Sequence, residues 1–157
     1  HGATLTYAYH HERVGGNFRL DPIQAAVLLV KLPHLEAWHN GRRENAAYYD
    51  EGLKGVPVTT PEPVYGREHH IYNQYVIRVP EGRDALRAHL TECGVGSQIY
   101  YPVPFHMQEC FAGLGYREGD FPQSEAAAAH TVALPIYAEL TRAMQDHVIE
   151  SVRSFFA

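Results

Sequence analysis

Lysine is scarce in this chain of 157 residues: Lys31 and Lys54 are the only two among 13 basic residues. Against 18 acidic residues the formal net charge is −5, which argues against a nucleic-acid binder that works by neutralising phosphates. Cysteine is equally rare. Cys93 and Cys110 cannot make a disulfide framework and form no metal-spaced pair, a usage that fits a reducing cytosol. Long apolar runs are missing too. The longest, Ala25 to Val30, is far short of a membrane span, and the first residues have no signal-peptide character. There is no internal repeat and no low-complexity segment. With 45% hydrophobic and 20% charged residues, one folded cytoplasmic domain is expected, without nucleic-acid or membrane partners. Position 1 is His rather than Met, so the chain is expected to be part of something longer.

Residues 1–20 read as an irregular loop carrying Tyr7, Tyr9, His10 and His11. A sharp turn is expected at Gly15-Gly16-Asn17, since paired glycines permit positive φ. Asp21 as N-cap and Pro22 at the first helical position start a helix. Ile23, Val27 and Val30 then recur at helical spacing through Leu32. Pro33 interrupts, and Leu35, Trp38 and Arg42 to Leu53 resume the pattern, ending at Gly55. Two consecutive helices, or one kinked at the proline, are predicted. Val56 to Glu68, with Pro57, Pro61, Pro63 and Gly66, reads as an extended connection. A strand is predicted over Tyr72 to Val79 and a helix over Arg83 to Cys93, stopped by Gly94. Further expectations are a strand from Ser97 to Tyr101, a short helix from Met107 to Leu114, and another from Pro122 to Thr131. A buried strand at Val132 to Pro135 follows, and Thr141 caps a last helix with Met144, Val148, Val152 and Phe155 on one face. The order implies an α/β or α+β domain around a small sheet flanked by helices.

Eleven histidines invite a metal hypothesis. A helical zinc site wants histidines four apart or a tight Cys/His cluster. His10-His11 and His69-His70 are instead adjacent pairs, whose side chains diverge in a strand, and no C-x-x-C occurs. No metal site is expected. His34, His39, His89 and His147 read as solvent-facing or edge residues of helices. The serines lack a G-x-S-x-G context, and both cysteines read as packing residues. Val14-Gly15-Gly16-Asn17 is no phosphate loop of the G-x-G-x-x-G or Walker type. No complete active site is visible.

Two stretches are nevertheless rich in chemistry. Gly15-Gly16-Asn17-Phe18-Arg19-Leu20-Asp21 sets an amide, a guanidinium and a carboxylate beside a helix start. Such a place suits a phosphate or oxyanion, although a plain cap, a turn residue and a surface ion pair account for it as well. Ile99-Tyr100-Tyr101-Pro102-Val103-Pro104-Phe105-His106 is a proline-stiffened loop with two phenols and an imidazole. It suits a polar, hydroxylated ligand, or a rigid turn with aromatic contacts.

Taken together, these segments resemble the DegT/DnrJ/EryC1/StrS sugar aminotransferases. The likeness starts at Gly15-Gly16-Asn17-Phe18-Arg19-Leu20-Asp21-Pro22-Ile23-Gln24-Ala25-Ala26 with Lys31-Leu32, similar to the segment after the family's cofactor lysine. It runs on through Arg42-Arg43, Ala46 to Tyr49, and His70-Ile71-Tyr72-Asn73-Gln74-Tyr75-Val76-Ile77-Arg78. Tyr101-Pro102-Val103-Pro104-Phe105-His106-Met107-Gln108, Phe121-Pro122 with Ser124-Glu125, and Ala133-Leu134-Pro135-Ile136-Tyr137 complete it. Ala138 departs from a usual proline, with only a local loop effect expected.

The resemblance implies the C-terminal domain of a fold type I enzyme dependent on pyridoxal 5′-phosphate. Such enzymes act on nucleotide-linked keto-deoxysugars with glutamate as amino donor. It also implies a homodimer in which Asn17 reaches the cofactor phosphate of the partner subunit's site, with Tyr9, Arg19, Tyr101 and His106 near the cofactor or the sugar nucleotide. On this reading residues 1–21 are an interdomain and active-site loop, 22–55 connecting helices, and 56–157 the small C-terminal domain. The chemistry needs a lysine that forms the Schiff base and an acid for the pyridine nitrogen. The family carries both in a domain that would precede His1, and Lys31 and Lys54 read as surface residues. The chain alone is therefore expected to be inactive, with exposed apolar faces on its first helices. Two alternatives are a stand-alone binding module that kept the scaffold and a histidine-rich metal-binding domain.

Overall fold

Asp21 opens the first regular element as its sequence context requires. The computed structural model describes residues 9–16 and 18–157. Helix α1 spans Pro22–Lys31, with the Asp21 carboxylate accepting from the Gln24 N–H at 2.9 Å. The Gln24 amide oxygen reaches back to the Asp21 N–H, completing a capping box. Pro33 lacks an N–H and so tightens one turn, Leu32–His34, into a 3-10 form before helix α2, Leu35–Gly52.

Strand β1, Tyr75–Arg78, pairs antiparallel with β2, Thr131–Leu134, in the register Tyr75↔Leu134 to Arg78↔Thr131. Single bridges extend the ladder on both sides, Thr59 to Arg78 and Gln98 to Ala133. Two expected strands are shorter than their sequence pattern. Tyr72 has a φ of 46°, a left-handed conformation that extended pairing cannot include, so β1 starts only at Tyr75. The predicted strand from Ser97 to Tyr101 shrinks to the Gln98 bridge, where Gln98 and Ala133 exchange both backbone hydrogen bonds.

Helix α3, Arg83–Glu92, ends as predicted at Gly94, whose φ of 75° lets the Val95 N–H return to the Leu90 carbonyl at 2.7 Å. Helix α4, Pro122–His130, leads directly into β2. Helix α5, Arg142–Phe155, is capped by the Thr141 hydroxyl. The core joins Tyr49 of α2, Tyr75 and Ile77 of β1, Leu86 and Leu90 of α3, Val132 of β2, and Val148 and Val152 of α5. Gln145 of α5 is fully buried and donates to the Asn45 carbonyl of α2 at 2.9 Å. Arg42 donates to the carbonyls of Tyr72 at 3.1 Å and Ile136 at 3.0 Å, tying α2 to the segments flanking the sheet. These elements form an α+β arrangement with helices around a small sheet.

Helix α1 differs from the rest. None of its residues is buried, and Ile23 and Val30 are 79% and 73% exposed. The described helices include none long and apolar enough to cross a membrane.

The expected helix from Met107 to Leu114 is replaced by two 3-10 turns, Phe105–Met107 and Glu109–Leu114. Gln108 between them is extended, with φ −73° and ψ 140°. Two histidines expected at exposed or edge positions have specific partners: His89 Nε2 lies 3.1 Å from Ser154 Oγ, and His147 Nε2 lies 2.8 Å from the Cys93 carbonyl.

Candidate functional site

The segment Tyr101-Pro102-Val103-Pro104 leaves the sheet with two residues of fixed φ, which makes it stiff. It borders a cavity of about 980 Å³, to which α4 contributes Ser124, Ala127 and Ala128. Phe105, Phe111, Tyr116 and Phe121 add aromatic surface. An apolar lining with a few convergent polar groups is the usual form of a small-molecule site.

Tyr9, Tyr101 and His106, singled out from the sequence, all line this cavity. The Tyr9 and Tyr101 rings meet edge to face, 5.7 Å between centroids. Arg19 is exposed and is not part of the lining. Asn17 lies outside the described residues, as do residues 1–8 of the N-terminal loop.

Gln108 assembles the site, a role that sequence reasoning missed. It is 5% exposed, and its Nε2 donates to the Tyr9 carbonyl at 2.8 Å and the Val103 carbonyl at 3.3 Å. Its Oε1 accepts from the His11 N–H at 3.0 Å. The Cys110 N–H adds a bond to the His11 carbonyl at 3.0 Å. A buried amide must satisfy both its donors and its acceptor, and doing so fastens the N-terminal segment to the proline-rich loop. Its neighbours His106 and Glu109 are polar too, so the sequence carries no signal that singles it out.

His106 is held just as firmly. Its side chain is 6% exposed, its Nε2 lies 2.8 Å from Glu125 Oε1, and its ring rests 4.8 Å from that of Phe121. The Glu125 carboxylate also accepts from the N–H groups of Gly119 at 2.9 Å and Phe121 at 3.3 Å. Burial works to raise the Glu125 pKa, but the Gly119 N–H, His106 and the Phe121 N–H together outweigh it. The carboxyl is held below its usual range.

Neither lysine lines this cavity. Lys31 lies over the Trp38 ring, 5.6 Å from its centroid, and Lys54 pairs with Glu51 at the surface. Among the described residues the lining contains no lysine and no carboxylate. The cavity therefore does not fit the anchoring set of pyridoxal phosphate, which needs a lysine and an acid. Among the described residues no three His, Cys, Asp or Glu side chains converge as metal ligands.

The model of the DegT/DnrJ/EryC1/StrS aminotransferase family matches residues 1–153. The chain belongs to this family. A pleiotropic regulatory protein of Geobacillus stearothermophilus is 45% identical to it, over 99% of this chain and 42% of the relative. The dTDP-3-amino-3,4,6-trideoxy-alpha-D-glucose transaminase of Streptomyces venezuelae is 38% identical, over 94% of this chain and 38% of the relative. In structure, a family aminotransferase from Brucella abortus is similar with a TM-score of 0.80 at 40% identity, covering 95% of this chain and 39% of that one. The chain thus spans about two fifths of the length of the relatives it matches. The family's α+β small-domain architecture, expected from the resemblance, is the one observed.

Proposed function

We propose that this chain is the C-terminal part of a sugar-nucleotide aminotransferase that transfers an amino group from glutamate to a nucleotide-linked keto-deoxysugar. The observation that carries this reading is the convergence of Tyr9, Tyr101 and His106 on one aromatic cavity in a chain of this family. Its volume, about 980 Å³, suits a ligand as large as a sugar nucleotide. The phenols and the imidazole offer hydrogen bonds to hydroxyl groups, and the aromatic rings offer faces to a sugar or base.

Pyridoxal 5′-phosphate, the cofactor that family membership implies, would supply the amino-transfer chemistry when bound. On this reading the chain's own residues bind and orient the substrate. The lysine and the acid that hold the cofactor come from residues outside this chain, so the chain alone is inactive. Asn17 would hold the cofactor phosphate in the partner subunit's site of a homodimer, and Arg19 would lie near the cofactor or the sugar nucleotide. Residues 1–21 form the active-site loop, 22–55 the connecting helices and 56–157 the small domain of a cytoplasmic enzyme.

The test compares the chain alone with the product of the reading frame continued upstream of His1, each supplied with glutamate, pyridoxal phosphate and a nucleotide-linked keto-sugar. Amino-sugar formation by the longer product only is expected. An upstream frame that ends just before His1, or a longer product without transaminase activity, would favour a stand-alone module.

A further inference from the structure

We infer that Glu125 is a positioning residue: it holds the His106 ring with Nε2–H toward its carboxylate and leaves Nδ1 as a hydrogen-bond acceptor for a ligand hydroxyl in the cavity. This rests on the reading of the cavity as a sugar-nucleotide site.

The geometry leaves little choice. A carboxylate only accepts, so at 2.8 Å the proton between the two groups belongs to His106 Nε2. Glu125 itself is immobilised. Its Oε1 and Oε2 receive the Gly119 N–H at 2.9 and 3.0 Å, and Oε1 also receives the Phe121 N–H at 3.3 Å. It stands in the first turn of α4, where the helix dipole favours a negative charge. Its depressed pKa keeps it ionised at neutral pH. Phe121, the N-cap of α4, packs on the imidazole and donates its N–H to the same carboxylate, so one carboxylate fixes both the ring and its aromatic support.

The second ring nitrogen is what remains for a ligand. His106 lines the cavity, and Nδ1 has no hydrogen-bond partner among the described residues. Arg87 Nε is the one buried side-chain polar atom without a partner among those residues, so Nδ1 is not sealed in the protein. In a neutral imidazole with Nε2 protonated, Nδ1 is an acceptor. It matches a sugar or ribose hydroxyl and not a phosphate oxygen, which also accepts.

The test is nitrogen-15 NMR of the labelled chain at slightly alkaline pH, in the wild type, Glu125→Gln and Glu125→Ala. The wild type is expected to show His106 protonated at Nε2 alone, with that ring proton slow to exchange with water. In Glu125→Ala the exchange should accelerate about 10- to 100-fold, as expected for losing a hydrogen bond to a charged group. Glu125→Gln keeps an acceptor oxygen and should retain the Nε2 proton with a smaller acceleration. The amide signals of Ile77 and Val132 report whether each variant is folded, and if Glu125→Ala is not, the wild type and Glu125→Gln decide. A proton on Nδ1 in the wild type, or equal exchange in a folded Glu125→Ala, would overturn the inference. These spectra need no ligand, so their outcome is independent of the transaminase assay. That assay can fail while the histidine result stands, and the reverse.

Discussion

Gln108 Nε2 donates to the carbonyl oxygen of Tyr9 at 2.8 Å, joining residues 99 positions apart in the chain. The same amide takes the His11 N–H. A wall of the cavity thus depends on one buried side chain that is not part of the hydrophobic core.

Replacing Gln108 by Ala should leave the Tyr9 carbonyl and the His11 N–H without their partner. The expected loss is about 1–3 kcal/mol, measured by urea unfolding. Amide exchange at His11 and Cys110 should accelerate well beyond that of the core strands. Unchanged exchange at both positions would count against the role given to Gln108.

Two buried phenols should govern stability at high pH. Tyr49 donates to the Pro135 carbonyl at 2.9 Å and Tyr75 to Asp50 Oδ1 at 2.6 Å. Burial above all pushes both phenols upward, helped at Tyr75 by the Asp50 carboxylate. The folded chain keeps protons that the unfolded chain releases, so stability is unaffected below a phenol's ordinary value of about 10 and falls as pH rises above it. Tyr49→Phe should cost about 1 kcal/mol at neutral pH through the lost hydrogen bond. It should also flatten the alkaline decline in urea midpoints. Parallel declines in both proteins would refute this.

The exposed face of α1 should contribute little to stability of the chain by itself. Ile23→Ser and Val30→Ser, at 79% and 73% exposure, should each change unfolding free energy by less than about 0.5 kcal/mol. Leu90→Ala, at 0% exposure in the core, should cost about 2–5 kcal/mol. The two serine variants should also self-associate less in sedimentation experiments, because they break an apolar patch. A large loss from Val30→Ser would show that α1 is covered within this chain.

The local rules were legible where they depend on neighbouring residues. Asp21 with Pro22, Thr141, and Gly94 each act within a few positions, and the helices they bound begin or end at them. What escaped depends on distant partners or on the backbone at a single residue. The strand expected from Tyr72 is curtailed by that residue's left-handed φ, and the one expected at Ser97 to Tyr101 keeps only the Gln98 bridge to distant Ala133. The site was half legible. Tyr9, Tyr101 and His106 stand out by residue type in the sequence and line one cavity, whereas Arg19 does not join them. Gln108 reaches back across most of the chain, and Glu125 acts on His106 from 19 positions away, so neither function is written in its own surroundings.

On the proposed function neither Lys31 nor Lys54 is the cofactor lysine. Incubation of the purified chain with pyridoxal phosphate, borohydride reduction and intact-mass analysis tests it. No saturable one-to-one adduct is expected, only slow labelling of surface amines. A stoichiometric adduct on Lys31 or Lys54 would contradict it and make this chain a cofactor-binding unit in its own right.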